Sequence, residues 1–348
     1  MMAKFGASEK TRTFDLLITN QLHYRLCYTS NSTLTFYHFI ENLSRGKTKK
    51  IIDKRKNMNL CDVKTIKHIM SVFDLKFRKE FGQNFLINRT VVEDIADNCA
   101  DSVETSILEI GPGIGPLTTE LALRYKQVVA LEIDHGLIPV LKYTLGEFTN
   151  VTVYNEDVMK ADLDELLKPY FENGSVSVCA NLPYYITTPI LMKLLECGLP
   201  FDYITIMIQS EVADRLCARA GSSDYGAITA VLAYYGVAEK LFTVSAGNFM
   251  PAPKVNSTVV RIKLHKNKPY VPADEKILFR TIKGAFEQRR KTLPNALSAS
   301  FSELDKDEIT QAIVDCGHKP DIRGEKLSIE QFVALSDKLN EVIKSKNI

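Results

Sequence analysis

Short apolar segments alternate with helix-like segments through the middle of this 348-residue chain. The strand-like segments lie at residues 107–110, 128–133, 151–154, 176–180 and 203–208. They are apolar at successive positions, which is typical of strands buried on both faces of a parallel sheet. Helical periodicity follows most of them. The pattern therefore predicts an α/β fold, Rossmann-like, with a mostly parallel sheet covered by helices on both sides.

The pattern changes in the second half of the chain. Residues 242–245 and 257–264 indicate two more strands, joined by a proline-containing loop, and predict a hairpin-like pair at the end of the sheet. After Asp274 only helical periodicity remains. We therefore predict an α/β domain at 58–265, a linker at 266–272 and a small all-helical domain at 273–348.

Residues 1–57 differ from the rest of the chain in charge and pattern. They contain 11 Lys and Arg against 4 Asp and Glu, a net charge of +7, whereas the remainder has 33 against 38, a net charge of −5. The total of +2 thus averages a basic leader with a mildly acidic body. The leader is either a disordered basic arm that contacts RNA or upstream sequence before a true start at Met58. We favour the second interpretation, because LLITNQLHYRLCY is too apolar for such an arm.

A glycine-rich turn, Glu109–Gly115 (EIGPGIG), follows the first strand and opens the next helix. Glycine lets the backbone approach a ligand closely, and a helix start offers free N–H groups. A dinucleotide site would have a further glycine where Pro116 lies. The pattern favours S-adenosylmethionine, which has no pyrophosphate, with Gly111 and Gly113 at the cofactor. An ordinary tight turn between strand and helix is the alternative.

Acidic residues at the ends of the next two strands extend this site. Glu132 lies 21 residues after Gly111, where a carboxylate can accept both hydrogens of a ribose diol. Asp157 follows the third strand and can accept from an adenine amine, while the Val158 N–H donates to the ring. Together they indicate a nucleoside ligand, although Asp157 alone would be an ordinary helix cap.

The tetrapeptide Asn181-Leu182-Pro183-Tyr184 follows the fourth strand, at the edge where open α/β sheets bind ligands. An adenine amine is a poor nucleophile because its lone pair is delocalised into the ring. The Asn181 side-chain oxygen and a backbone oxygen of Leu182 or Pro183 can accept both amine hydrogens and aim the lone pair at a methyl sulfonium. Proline holds the turn rigid, and Tyr184 offers a face on which an extruded base can stack. This turn predicts transfer of a methyl group to adenine.

Two basic segments bear on the substrate. Residues 77–86 (FRKEFGQNFL) mix Arg78 and Lys79 with aromatic and amide side chains, as RNA contacts do. Arg289, Arg290 and Lys291 form three consecutive cations between helices, which suits a phosphate backbone. The alternatives are an amphipathic helix for the first segment and a solvated charged face for the second.

The sequence resembles the KsgA/Dim-type small-subunit ribosomal RNA adenine N6,N6-dimethyltransferases over about residues 74–338. The matching motifs, in family order, are FGQNFL (Phe81–Leu86), LEIGPGIGPLT (Leu108–Thr118), ALEID (Ala130–Asp134), NEDVMKAD (Asn155–Asp162), NLPYYITTPIL (Asn181–Leu191), FMPAPKVNSTVVRI (Phe249–Ile262), AFEQRRKTLPNAL (Ala285–Leu297) and RGEKLSIEQFVAL (Arg323–Leu335). The leader has no counterpart in the family.

The resemblance implies dimethylation of two adjacent adenosines in the 3′-terminal hairpin of small-subunit (16S) rRNA with four S-adenosylmethionines, and a role in assembly of the immature 30S subunit. It places six residues around the cofactor: Asn84, Leu86, Gly111, Glu132, Asp157 and Asn181. It gives Tyr184 and Phe249 base-stacking roles. The family often has a small residue where this chain has Pro116, at a first helical turn that tolerates proline.

Three other functions compete with this one. A large-subunit rRNA methyltransferase of the macrolide-resistance type shares the catalytic core, but the PAPKVNST and RRKTL segments favour the small-subunit enzyme. A non-catalytic RNA binder would not need the glycine turn, and a small-molecule methyltransferase would not need the helical domain.

We expect a cytoplasmic monomer. The seven scattered cysteines form no C-x-x-C pair, which is typical of reduced thiols. The histidines show no metal-ligand spacing, and no apolar run reaches the length of a membrane span. Neither a metal nor a membrane partner is therefore predicted.

Overall fold

The computed structural model describes residues 58–76 and 82–346. The leader and the segment containing Arg78 and Lys79 lie outside the described residues. The strands, in chain order, are β1 (Phe85–Leu86), β2 (Ser106–Ile110), β3 (Gln127–Leu131), β4 (Val151–Tyr154), β5 (Val176–Asn181), β6 (Tyr203–Gln209), β7 (Gly236–Val244), β8 (Phe249–Met250) and β9 (Ser257–Leu264). The helices are α1 (Val63–Val72), α2 (Arg89–Asp97), α3 (Pro116–Arg124), α4 (Ile138–Leu145), α5 (Leu163–Glu172), α6 (Thr187–Glu196), α7 (Ser210–Leu216), α8 (Ala227–Tyr235), α9 (Glu275–Glu287), α10 (Leu293–Leu297), α11 (Lys306–Asp315) and α12 (Ile329–Lys346).

The central sheet has seven strands in the order β4-β3-β2-β5-β6-β9-β7. The first five are parallel, and β9 pairs antiparallel with both β6 and β7. The chain runs outward from β2 through β3 to β4, then returns to lay β5 on the other side of β2. Connections on either side of β2 therefore diverge, which opens a crevice at the carboxyl ends of β2 and β5.

Both faces of the sheet are buried, as the continuous apolar strands predict. Neighbouring residues of β2 alternate between the two faces: Leu108 packs in one hydrophobic cluster with α5, α6 and β6, and Ile107 packs in the other with α2, α3 and α4. All five residues of β2 are buried. The sheet is thus held between two helical layers, and β2 lies at its centre.

A two-stranded sheet joins the N-terminal segment to the loop after β7. Phe85 pairs with Met250 and Leu86 with Phe249, antiparallel. Ile87 N–H also donates to Asn248 O at 2.8 Å. This pairing brings the segment before α2 over the carboxyl edge of the main sheet.

The C-terminal helices α9 to α12 share a separate hydrophobic cluster, with Phe301 and Phe332 fully buried at its centre. The helix α8 also belongs to this cluster through Ala230 and Tyr234, whereas its Leu232 packs in the core of the sheet. A helix that is apolar on all sides can be buried between two layers. Thus α8 connects the two domains physically, although it precedes β7 in the chain.

Hydrogen bonds to backbone carbonyl oxygens reinforce this junction. Gly221 N–H donates to Glu325 O at 2.6 Å, and the Tyr225 hydroxyl donates to Leu327 O at 2.9 Å. Lys326 Nζ returns a bond to Gly221 O at 3.3 Å. The loop before α8 is therefore fastened to the segment between α11 and α12.

The structure confirms the predicted mostly parallel α/β sheet, the antiparallel pair at its end and the C-terminal helices. Strands β4 and β9 match their predicted bounds, whereas β7 begins at Gly236 rather than at residue 242. Helices α2, α5 and α8 were not predicted. The domain bounds stay a prediction, because α8 packs on both sides of the proposed linker.

Within residues 58–76 and 82–346, no helix combines the length and apolar character needed to span a bilayer. The same residues contain no group of His, Cys, Asp and Glu side chains that could hold a metal ion.

Gly324 lies where the segment before α12 touches α9. A Cβ at this position would come within 2.7 Å of Ala285 Cβ and 2.9 Å of Ala285 O. We predict that Gly324→Ala lowers the free energy of unfolding by about 1–3 kcal/mol, because backbone cannot yield cheaply. Thermal unfolding measures this change. Gly247→Ala is the control, since its Cβ would meet nothing within 4 Å. Equal unfolding midpoints for the two variants would contradict the prediction.

Candidate active site

A cleft opens at the carboxyl ends of β2 and β5, where open α/β sheets bind ligands. The turn after β2, the turn after β5 and the segment around β1 form its walls. Its lining residues are Gly82, Gln83, Asn84, Phe85, Leu86, Glu109, Gly111, Pro112, Gly113, Pro116, Leu117, Glu132, Ile133, Leu137, Asn181, Leu182, Pro183 and Tyr184. The crevice created by the strand order is therefore the candidate site.

The glycine turn forms the floor of this cleft. Gly111, Gly113 and Gly115 have φ values of +72°, +62° and +93°, which side-chain-bearing residues rarely adopt. A Cβ on Gly111 would meet no protein atom within 4 Å, so it would project into free space that a ligand can use. Pro116 is the first residue of α3, where it costs no helical hydrogen bond.

The Glu132 carboxylate is held by two backbone donors. Its Oε1 accepts from Asp134 N–H at 2.8 Å, and its Oε2 accepts from Gly113 N–H at 3.2 Å. Each oxygen keeps a further lone pair for a ligand hydroxyl. Burial raises the pKa of the Glu132 carboxyl to about 7 despite these bonds. Glu132 thus lies in the cleft with its carboxylate held in one orientation, and its binding of a ribose diol stays a prediction.

A chain of contacts links Glu132 to the N-terminal segment. Asp134 Oδ2 accepts from Gln83 Nε2 at 2.9 Å, and Asp134 Oδ1 accepts from Gly136 N–H at 2.9 Å. Asp134 is itself buried. The segment before β1 is therefore tied to the same loop that orients the Glu132 carboxylate.

Glu109 was not predicted as a site residue, although it lines the cleft. It is 1% exposed, and its Oε2 has no hydrogen-bond partner among the described residues. Burial raises the pKa of this carboxyl to about 8. The sequence feature that could have identified Glu109 is that it is the only charged residue in the buried strand β2.

The Asn181 side chain is positioned with its amide nitrogen toward the N-terminal wall. Its Nδ2 donates to Asn84 O at 3.4 Å, which leaves the amide oxygen as an acceptor. Pro183 O already accepts from Ile186 N–H at 3.2 Å and from the Thr187 hydroxyl at 3.1 Å.

Leu182 O accepts no hydrogen bond from the described part of the chain. Of the two backbone oxygens considered from the sequence, Leu182 O is therefore the one free to bind a substrate amine. The Leu182 side chain is buried, and its N–H donates to Met207 O at 3.2 Å, which fixes the turn against β6.

The predicted stacking residues differ in accessibility. Tyr184 lines the cleft and is partly buried. Phe249 is only 3% exposed and packs with Leu86 and Val244 in the core beneath α2. Its stacking role stays a prediction, and it requires the ring to become more accessible than it is here.

The remaining predicted cofactor residues also differ in whether they line the cleft. Asn84 and Leu86 line the cleft, with the Asn84 side-chain Nδ2 donating to Gly82 O at 3.0 Å. Asp157 and Val158 are not among the lining residues. Asp157 Oδ1 accepts from Met159 N–H at 2.9 Å, the capping role weighed against it from the sequence, and Val158 is buried. Their contacts with adenine stay a prediction.

The three predicted RNA-binding cations after α9 have different environments. Arg289 Nη2 donates to Ser223 O at 2.9 Å and to Tyr225 O at 3.0 Å, and lies 3.5 Å from a Glu325 carboxylate oxygen. Arg290 and Lys291 are exposed. Arg289, although also exposed, thus takes part in the domain junction, and phosphate contacts by its two neighbours stay a prediction.

The residues that line the cleft indicate which class of ligand it can bind. Pro116 replaces the glycine that a dinucleotide site needs, while the free face of Gly111, the Glu132 carboxylate and the Asn181 amide surround one continuous space. This lining fits S-adenosylmethionine beside an amine-bearing substrate. The fold and cleft define a Rossmann-like S-adenosylmethionine-dependent methyltransferase.

Comparison with known proteins narrows this class. The model of the family described as ribosomal RNA adenine dimethylase matches residues 74–341. The chain belongs to this family and is an enzyme that dimethylates adenine in ribosomal RNA.

Two curated relatives carry the same name, ribosomal RNA small subunit methyltransferase A. The one from Lachnoclostridium phytofermentans is 43% identical over 82% of this chain and 99% of its own length. The one from Bacillus mycoides is 46% identical over 78% of this chain and 94% of its own length.

Two solved structures share the fold. A dimethyladenosine transferase from Plasmodium falciparum is 24% identical, with a TM-score of 0.61 over 74% of this chain and 98% of that one. The 23S rRNA methyltransferase ErmE is 25% identical, with a TM-score of 0.58 over 74% of this chain and 100% of that one.

The raised pKa of Glu132 predicts how cofactor affinity depends on pH. The ionised carboxylate accepts both diol hydrogens, whereas the protonated form accepts fewer. We therefore expect affinity for S-adenosylmethionine to rise as the pH increases through about 7. Glu132→Gln should bind roughly 10-fold more weakly and without this rise. Isothermal titration calorimetry between pH 6 and 8 provides the measurement.

Two variants serve as controls for this titration. Glu156→Gln removes an exposed carboxylate next to β4 and should keep both affinity and slope. Glu109→Gln tests the other carboxyl that titrates nearby. A slope that persists in Glu132→Gln and vanishes in Glu109→Gln would assign the effect to Glu109 instead.

Proposed function

We propose that this enzyme dimethylates N6 of two adjacent adenosines in the 3′-terminal hairpin of small-subunit rRNA. Four S-adenosylmethionines are consumed for each rRNA. The observation that carries the proposal is the Asn181–Tyr184 turn, which lies across the cleft from the glycine turn. Two of its oxygens, Asn181 Oδ1 and Leu182 O, accept no hydrogen bond from residues 58–76 and 82–346. The names of the relatives, which are 43% and 46% identical, support the small subunit as the substrate.

The turn after β5 activates the adenine amine. Asn181 Oδ1 and Leu182 O each accept one amine hydrogen, which draws the nitrogen toward tetrahedral geometry and localises its lone pair. Bound S-adenosylmethionine supplies an electrophilic methyl group on a sulfonium. No strong base is needed near Asn181, because the amine proton is acidic once the nitrogen has been alkylated and can leave to water.

The target base reaches this turn only after it leaves its helical stack. Tyr184 then supports one face of the base, a contact worth about 1–3 kcal/mol. Phe249 supports the other face in our proposal, once the base displaces the packing that covers its ring. Pro183 limits the freedom of the turn between the amine acceptors and the stacking ring.

The cofactor is proposed to lie over the glycine turn. Gly111 and Gly113 provide close backbone approach, and Glu132 binds the ribose hydroxyls. Asp157 and Val158 N–H contact its adenine, while Asn84 and Leu86 close the N-terminal side. The closeness of Asn84 and Asn181 supports a single site for cofactor and substrate amine.

Two observations favour the small subunit over the large subunit as the source of the RNA. The fold is shared with the large-subunit enzyme ErmE, but identity to that enzyme is 25% against 43% and 46% for the small-subunit relatives. The PAPKVNST and RRKTL segments are also those of the small-subunit enzymes. A non-catalytic binder is disfavoured, because the cleft keeps its acceptor and diol-binding groups.

The wider setting is part of the same proposal. We infer that the enzyme acts as a monomer on the immature 30S subunit and assists its assembly. Its place of action would then be the cytoplasm, where these subunits mature. The helical domain would contact the rRNA backbone through Arg290 and Lys291. Arg78 and Lys79, in the segment before β1, would add further contacts to the RNA.

Asn181→Ala removes one acceptor without disturbing the sheet, since the side chain lies at the end of β5. We expect kcat for methyl transfer to fall about 10²–10³-fold, as when a transition-state hydrogen-bond partner is removed, while rRNA binding stays within about twofold. Methyl transfer to small subunits that lack the modification is the assay. Asn295→Ala, which removes an exposed amide in the helical domain, should behave as the unaltered enzyme. Full turnover by Asn181→Ala would contradict the mechanism.

The environments of the cations after α9 predict two phenotypes. Replacing Arg290 and Lys291 by Ala should weaken rRNA binding and reduce the slope of log affinity against log salt by about 1–2, without changing the unfolding midpoint. Arg289→Ala should lower the midpoint, because Ser223 O and Tyr225 O lose their donor. Lys276→Ala, at the other end of α9, is the control. A salt slope unchanged in the double variant would remove these contacts from the proposal.

A further inference from the structure

The hydroxyl group of Tyr184 has a defined partner outside the cleft lining. Tyr184 Oη lies 2.7 Å from Ser257 Oγ, an ordinary hydrogen-bond length. Ser257 is 0% exposed, so this serine reaches neither solvent nor the cleft directly. The bond therefore joins the candidate stacking ring to the interior of the protein.

Ser257 is one of the most firmly placed residues near the cleft. It opens β9, which pairs with β6 through Gln209 and with β7 through Val244 at this level. The backbone of Ser257 is thus held from both sides by antiparallel neighbours. A side chain as short as serine on such a backbone has little freedom to follow a moving partner.

The bond restrains Tyr184 at both ends of its ring. Its backbone follows Pro183 in the fixed turn, and its hydroxyl is held by Ser257 on a different strand. Burial raises the pKa of the Tyr184 phenol, so the hydroxyl keeps its proton at neutral pH and is a tether rather than a base. With both ends fixed, the plane of the ring is set before any base arrives.

We propose that Ser257 is a positioning residue, which fixes the ring plane of Tyr184 so that the target adenine stacks with its amine at the Asn181 and Leu182 oxygens. This inference rests on the proposed function, because it assigns Tyr184 to the base. Its energetic basis is preorganisation: a ring already held in place needs no ordering when the base enters.

A double-mutant cycle tests the tether. Tyr184→Phe keeps the stacking ring and removes the hydroxyl, and Ser257→Ala keeps the ring and hydroxyl but removes their anchor. Each should lower kcat for methyl transfer about 10-fold, with KM for S-adenosylmethionine unchanged. The double variant should lose no more than either single variant, since both remove one interaction. Fully additive losses, or unaltered kcat in Tyr184→Phe, would overturn the proposal.

Ser210→Ala is the matched control for changes at the start of β9. Its hydroxyl lies 2.9 Å from Thr258 Oγ1, next to Ser257, and does not contact Tyr184. We expect its kcat to stay unaltered. A loss equal to that of Ser257→Ala would mean that the strand, rather than the tether, is responsible, and would overturn the proposal.

Tyr184→Ala separates this inference from the proposed function. If Tyr184 stacks on the base, its removal should lower kcat at least 10-fold. Unaltered kcat in Tyr184→Ala would contradict the stacking role itself. A large loss in Tyr184→Ala with unaltered kcat in both Tyr184→Phe and Ser257→Ala would contradict the tether alone. Tyr184→Phe changes no fully buried residue, so the test does not depend on the folding of Ser257→Ala.

Discussion

The parallel pairing of β2 with β5 is the contact on which the catalytic cleft depends. Ile110 is opposite Ala180, so the next residues, Gly111 and Asn181, lie at the same level at the carboxyl edge of the sheet. A shift of the pairing by two residues would move these turns apart by roughly 6–7 Å, more than twice a hydrogen-bond length. Only this register puts the glycine turn, proposed to bind the cofactor, and the asparagine turn, proposed to activate the amine, in one cleft. The buried apolar side chains of both strands enforce the register, because a slip would expose them or empty the core.

The sequence was sufficient for the parts of the fold whose signals are local. Strands β4 and β9 were predicted at their observed bounds because each is rich in β-branched residues and is flanked by polar residues. The helix α8 was missed for the opposite reason: it is apolar on every side, so no periodicity marks a solvent-facing stripe. The apolar composition of α8 is explained only by the tertiary structure, in which the sheet covers one side of the helix and the C-terminal helices cover the other. The two-residue strands β1 and β8 were likewise invisible, since they exist only through pairing across more than 160 residues.

The residues of the candidate site also fall into those that local sequence signals predict and those that they do not. The glycine turn, Glu132 and the Asn181–Tyr184 turn each follow a strand directly, so their place at one sheet edge could be predicted from the strand order alone. Glu109 and Ser257 could not be found in this way, because only the tertiary structure shows their surroundings. One carboxyl oxygen of Glu109 has no hydrogen-bond partner among the described residues, and the Ser257 hydroxyl is buried against the ring of Tyr184. The burial of Phe249 also depends on tertiary structure, since β8 pairs with β1 and no local sequence pattern predicts that pairing.

The three cations after α9 show why a count of charged residues does not describe the charge on the surface of the protein. Arg289, Arg290 and Lys291 are equivalent in the sequence, yet the turn after α9 directs the first guanidinium onto two carbonyl oxygens and a carboxylate of the domain junction. Its charge is offset locally by Glu325, so it contributes less to the field around the protein than a cation with no acidic neighbour would. The body of the protein, which is net −5 outside the leader, must therefore attract RNA through a small number of uncompensated cations. Attraction of this kind is local and orienting, and it suits an enzyme that acts on adenine at a defined place in ribosomal RNA.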